Sequence, residues 1–423
     1  MTISEPSIEK PLAGLDGRGA RSASIERAEI VIQRVTKVCH SRFGSGLRAL
    51  ILTGSLARGE GSLQAEPGAG EAAGDAEFIL VLQDGVSEPE PAEAAALAAE
   101  MENECAAAGI VCKAGLAIGH ADILRQMRPH IFAYETKFRG RVVLGEEAIL
   151  GLIPEFTPSD IPLEDAWRLL SNRMIELLEA FSEDGFSQRE LVGRAIQYRT
   201  IKLQLDMATS LLLFLGRYAP SYTERCESLK CLAKGNNSEG DLPFSLRELA
   251  DAVEASTDWK LNHGGSVDGR AEWSWVLRTC RSAYQLWDWE LQRMTGKRDG
   301  ASTEKCLLAM KKQPQAARFR GWLVVLRECG LPLTERPWRR WLRLSRSASP
   351  RYWTYAVAGE LFSRMDSLFA IEQIARPAGP EIATLASQLP VTPPGEGGDP
   401  KSWVALMRTV AWNYHEFLEK TRA

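Results

Sequence analysis

Two neighbouring stretches decide how this chain is read: LRALILTGSLARGEGS at 47–62 and GDAEFILVL at 74–82. From Leu47 to Thr53 the first is almost wholly apolar, as a buried strand is. It breaks at Gly54 and Ser55, where a tight turn is expected, and a helix follows from near Leu56. Glycine accepts the backbone conformations of such a turn and lets a ligand approach the main chain closely. Amides at a helix start, with the Ser55 hydroxyl, suit a phosphate group, and Arg58 lies three residues on, where it can add a cation. In the second stretch Asp75 and Glu77 stand two apart on a strand, so both side chains point to one face. Two carboxylates beside a phosphate-binding turn suit Mg2+ (or Mn2+), since Mg2+ is usually held by one or two carboxylates plus substrate phosphates.

Around these strands the periodicity switches between helix and sheet. Residues 23–43 carry Ile25, Ala28, Ile32, Val35 and Val38 at helical spacing. Residues 90–108 are rich in Ala and Glu and read as a helix. IVCKAGLAI at 110–118 and GRVVLG at 140–145 read as a third and a fourth strand. Between the first two strands, SLQAEPGAGEAAG has no periodicity and reads as a loop. From Pro162 onward the expectation is helical, with segments near 163–182, 188–217, 243–255, 271–295, 315–329, 349–370 and 400–421. Clusters of Gly, Pro, Asn and Asp separate them. The expected organisation is a leader at 1–22, an α+β domain with a small mixed sheet at 23–155, a helical domain at 156–298 and a C-terminal helical domain at 299–423.

Composition bounds the remaining classes. Of 423 residues, 45% are hydrophobic and 25% charged, which is globular, and the net charge of -4 argues against a protein that coats nucleic acid. The eight cysteines include no CxxC pair and no cluster at zinc-ligand spacing, so reduced thiols are expected. The first twenty residues lack the apolar core of a signal peptide. The most apolar run, Met207 to Leu215, is about half of the ~20 residues a membrane span needs. A cytoplasmic protein with no membrane partner is the expectation.

The segment from Gly54 to Glu60 (GSLARGE), followed by the Asp75-x-Glu77 strand, resembles the signature of the DNA polymerase β-like nucleotidyltransferase superfamily. That superfamily includes the kanamycin nucleotidyltransferase-like and minimal nucleotidyltransferase branches. The resemblance covers residues 47–145, and RPHIFAYETKFRGRVVLG at its end is similar to the helix and edge strand that close such domains. It implies that Gly54 and Ser55 hold nucleotide phosphates and that Asp75 and Glu77 hold metal and act in catalysis. The implied reaction is transfer of a nucleoside monophosphate from an NTP to a hydroxyl acceptor on a small molecule, sugar or protein. Two departures stand out. Ser55 and Asp75 are further apart than is usual. The family's third carboxylate belongs on the next central strand, yet IVCKAGLAI contains no acid; Asp122 and Glu135 are the nearest substitutes.

Three further groupings invite a functional reading. Arg194, Tyr198, Lys202 and Asp206 share one helical face. By the resemblance, Lys202 binds phosphate and Tyr198 contacts the nucleotide; the alternative is an exposed stripe with a Lys202–Asp206 pair. Residues 301–351 hold twelve Lys/Arg and three acids, interleaved with Trp322, Trp338 and Trp341. That composition fits a nucleic-acid acceptor, or helices with basic faces and tryptophan cores. The five histidines show no ligand or triad spacing, though His120 and His130 flank the end of the third strand. The competing function is a lapsed enzyme whose fold serves as a nucleotide-binding or protein-interaction scaffold.

Overall fold

The computed structural model describes residues 20–61, 63, 74–184, 192–235, 242–261, 272–311, 315–329, 337–370, 379–393 and 400–421. Most of the expected leader, and the Gly/Ala-rich insert apart from Leu63 and Gly74, lie outside the described residues. The fold is mixed α and β, dominated by helix, with one small four-stranded sheet. The chain divides into two compact units. The first comprises Met1–Pro162, Gly216–Ser228 and Thr257–Ser266; the second comprises Leu163–Leu215, Leu229–Ser256 and Val267–Ala423. Residues on both sides of the expected boundary at 298/299 belong to the second unit.

The first unit is built on the strands β1 (Leu47–Thr53), β2 (Gly74–Leu82), β3 (Cys112–His120) and β4 (Arg141–Gly145). All four fall where the hydrophobic runs place them. Their order is β3-β2-β1-β4, with β2 and β3 parallel and the other pairs antiparallel. Helices α1 (Ala20–Phe43) and α3 (Pro91–Ala107) contribute to one core with this sheet. On α1 the apolar positions Ala28, Val31, Ile32, Val35 and Val38 recur every three or four residues. On α3 Leu97, Met101 and Cys105 do the same. They meet Leu50, Leu52, Phe78, Leu80 and Leu82 from alternate positions of β1 and β2. Between β1 and β2 lies a single helical turn, α2 (Gly54–Ala57); α4 (Asp122–Arg125) and α5 (Ile131–Arg139) follow β3.

The second unit is helical. It contains α6 (Leu163–Asp184), α7 (Arg194–Phe214), most of α9 (Leu246–Leu261), and α10 (Trp273–Thr295), while α8 (Tyr222–Lys234) begins in the first unit and ends in the second. Helices α11 (Ser302–Lys311), α12 (Gln315–Cys329), α13 (Pro337–Ser347), α14 (Pro350–Ser363), α15 (Met365–Ala370), α16 (Pro380–Ala386) and α17 (Trp403–Thr421) complete it. Every residue of α7 from Leu203 to Leu213 is buried, so this helix is central rather than amphipathic. Trp167 of α6 packs on Trp287 of α10 with ring centroids 5.6 Å apart, and the Trp287 indole donates to Ser171 at 2.8 Å. No described helix is long and apolar enough to cross a membrane.

Candidate functional site

Strand register assembles the residues singled out in the first unit. Thr53 pairs with Glu77 across β1 and β2, so the turn at Gly54 begins beside the second carboxylate. Gly54 has φ +67°, a left-handed conformation that glycine adopts without strain. A Cβ added there would stand 2.5 Å from Glu77 Oε2. The left-handed turn therefore requires glycine, and the missing side chain leaves room for the Glu77 carboxylate. Asp75 and Glu77 are both exposed, while Ala76 and Phe78 between and beyond them are buried in the core on the opposite face. The alternation expected of the Asp-x-Glu strand is thus present. Parallel pairing sets Lys113 of β3 beside Asp75 and Gly115 beside Glu77.

Arg58 is a different matter. Its side chain is only 5% exposed, and it donates from Nε to Glu60 at 3.0 Å and from Nη1 to Glu135. Tyr218 donates to the same Glu135 at 2.7 Å, and Arg225 pairs with Glu135 as well. The Arg58 and Arg225 guanidinium groups both lie over the Tyr222 ring, at 5.1 and 5.4 Å. Glu60 also accepts the backbone amides of Tyr222 at 3.0 Å and Thr223 at 3.2 Å, at the start of α8. Burial opposes the charge on Arg58, yet Glu135, with Tyr222 and Glu60, outweighs it and holds the guanidinium above its ordinary range. Burial likewise pushes the Glu135 carboxyl up, and Arg58 and Arg225 pull it below the usual carboxylate range. This is a buried, mutually neutralised ionic cluster. It joins the end of the GSLARGE motif to the segment Gly216–Ser228 within the first unit.

Both acids named as substitutes for a third carboxylate have other partners. Glu135 is held by two arginines and a tyrosine in that cluster, and Asp122 is exposed and paired with Arg125 at 2.8 Å. On β3 the positions facing the same side as Asp75 and Glu77 are Lys113, Gly115, Ala117 and Gly119. None is an acid. His120, the last residue of β3, and His130 have local duties. His120 bonds to Glu88 and to the Val86 carbonyl, and His130 Nδ1 accepts the Ala133 amide at 2.9 Å to cap α5.

Tyr198 and Lys202 lie on α7 in the second unit, with Lys202 Nζ over the Tyr198 ring at 5.4 Å. Lys202 does not pair with Asp206 in the way its i,i+4 spacing suggests. Asp206 instead receives Arg173 Nε, and Glu176 sits among Arg173, Lys202 and Arg199. Burial raises the Glu176 carboxyl, but those three cations bring it down to about 2. In the basic region, Trp322 and Trp341 are buried and donate their indoles to the carbonyls of Ala348 and Pro390 at 2.7 and 2.6 Å. They are core residues rather than base-stacking platforms.

The metal expectation is tested by the donor set. Asp75 and Glu77 are exposed, adjacent on one face and two positions apart, which suits one divalent ion whose other ligands are phosphate and water. Among the described residues no group of three or more His, Cys, Asp or Glu could hold a metal. Among the described residues, Asp75 and Glu77 fit one ion completed by a substrate, and no third carboxylate joins them for a second. Sequence reasoning passed over Glu60, Tyr218 and Arg225. The available signal was the Ser221-x-x-Glu224 capping box, in which the Ser221 and Glu224 side chains each accept the other's backbone amide. It marks a helix start inside a stretch otherwise read as a break. No protein-family model matches this chain, and no curated protein matches it.

Proposed function

We propose that the first unit is a nucleotidyltransferase-like domain that binds a nucleoside triphosphate on the exposed face of β2 and transfers its nucleoside monophosphate to a hydroxyl. The observation that carries this reading is the meeting of Gly54 and Glu77. A left-handed Gly-Ser turn begins beside a carboxylate, with a second carboxylate two residues back on the same strand face. In this reading Gly54 and Ser55 hold phosphate oxygens through main-chain amides and the Ser55 hydroxyl. Asp75 and Glu77 hold Mg2+ or Mn2+. When bound, the ion neutralises phosphate charge and polarises the phosphorus under attack. The acceptor oxygen forms a bond to the α-phosphorus, the bond to the bridging α–β oxygen breaks, and pyrophosphate leaves. The hydroxyl proton passes to water. Arg58 has a structural part, because its guanidinium is committed to Glu60 and Glu135. The proposal uses residues of the first unit alone.

The second reading is a fold that keeps nucleotide binding without turnover. The observation favouring it is the lack of any acid on the β3 positions facing Asp75 and Glu77. Calorimetry with ATP, GTP, CTP and UTP in Mg2+, followed by a pyrophosphate-release assay against hydroxyl acceptors, separates the readings. Binding that is lost in Asp75→Ala/Glu77→Ala supports the site, and pyrophosphate release supports transfer. Binding without release under any acceptor favours the scaffold. Absence of binding by the wild-type chain sinks both.

A further inference from the structure

One charged residue of the Asp75–Glu77 face is unused by the reading above. Lys113 is the register partner of Asp75 on the parallel strand β3, and both are exposed. Register partners in a sheet point to the same side, about 4.8 Å apart between strands. Among the described residues, the Lys113 side chain makes no ion pair or hydrogen bond. The next positions on this side of β3 are Gly115, Ala117 and Gly119, which have no ligating atoms in their side chains. A Cβ at Gly115 would be in ordinary contact with Glu77 Cγ, at 3.5 Å, so β3 forms a low wall beside the carboxylates with one cation at its near end.

We infer that Lys113 is a phosphate-binding residue of this site, a cation on the strand beside Asp75, so that a nucleoside triphosphate is held with one divalent ion rather than two. The inference rests on the nucleotide reading of the Asp75–Glu77 face. Charge balance argues for it. Three carboxylates with two divalent ions present one net positive charge to a triphosphate. Two carboxylates, one ammonium and one divalent ion present the same. A lysine is a compact point charge with three donors on a flexible stem, which suits a phosphate oxygen beside a metal-bound one.

The test is binding of Mn2+-loaded ATP, GTP, CTP and UTP to the full chain and to Lys113→Ala and Lys113→Arg. Affinity is read by calorimetry and bound Mn2+ by electron paramagnetic resonance. Lys113 is exposed, so both variants are expected to keep the wild-type thermal midpoint. The expected result is one Mn2+ per bound nucleotide in the wild type. Lys113→Ala should bind about 10–100-fold more weakly, the loss typical of one charge-assisted phosphate contact, and Lys113→Arg should recover most of it. Two Mn2+ per nucleotide in the wild type, or Lys113→Ala binding as tightly as the wild type, would overturn the inference and leave the nucleotide site standing. Failure of the wild type to bind any of the four would remove the nucleotide reading itself, and this inference with it.

Discussion

Gly54 is where conformation and chemistry meet. Its φ of +67° strains any residue with a Cβ, and that Cβ would lie 2.5 Å from the Glu77 carboxylate. Gly54→Ala should cost about 1–3 kcal/mol and displace the Glu77 carboxylate, and under the proposed function it should weaken metal-dependent nucleotide binding. Gly115→Ala is the matched control. It has no left-handed φ, and its Cβ would make an ordinary 3.5 Å contact with Glu77, so its effect should stay within about 0.5 kcal/mol. Chemical denaturation of the two variants checks this; equal losses would contradict the account of Gly54. Both the glycine and the acid pair were legible in the sequence, because a turn glycine and an alternating strand are local patterns. The fate of Arg58 was not. Nothing local to Arg58 reports that Glu135 and Arg225, 77 and 167 residues further on, close around it.

At the scale of elements, hydrophobic period gave the four strands and helices α1, α3, α6, α10, α12 and α17 within a few residues; α7 and α9 are bounded differently, and α8, α11, α13 and α16 were not anticipated. Strand order and pairing direction depend on contacts distant in sequence, and no local pattern carries them. The charged stripe on α7 shows the same limit. Its i,i+4 spacing points to a Lys202–Asp206 pair, whereas packing against α6 brings Arg173 to Asp206 and Glu176 to the cations of both helices. That arrangement makes α6 and α7 sensitive to acid. The Glu176 carboxyl is depressed from 4.5 to about 2, so its contribution is complete above pH 4.5 and lost as the pH falls toward about 2. The contribution is on the order of 3 kcal/mol. Thermal midpoints measured between pH 6 and pH 2.5 should fall less steeply in Glu176→Gln than in the wild type, from a lower starting point. Parallel curves would show that Glu176 does not govern the acid response.

At the scale of the molecule, the first unit is discontinuous in sequence. The α+β domain expected at 23–155 lacks the segment Gly216–Ser228, which supplies Tyr218 and Arg225 to Glu135 and the α8 amides to Glu60. A fragment ending at residue 162 would keep Arg58, Glu60 and Glu135 and lose those partners. Breaking a buried ionic group in this way costs about 3–5 kcal/mol, a large part of the ~5–15 kcal/mol that holds a domain folded. Hydrogen exchange should therefore find β1 and β2 amides far less protected in the fragment than in the whole chain. Equal protection would show that the ionic cluster adds little. Crystals grown with Mn2+ and a non-hydrolysable nucleoside triphosphate probe the exposed face of β2 directly. The proposed function requires an anomalous Mn2+ peak shared by Asp75 and Glu77, with phosphates over Gly54 and Ser55; a nucleotide bound elsewhere, or no metal at those two carboxylates, would contradict it.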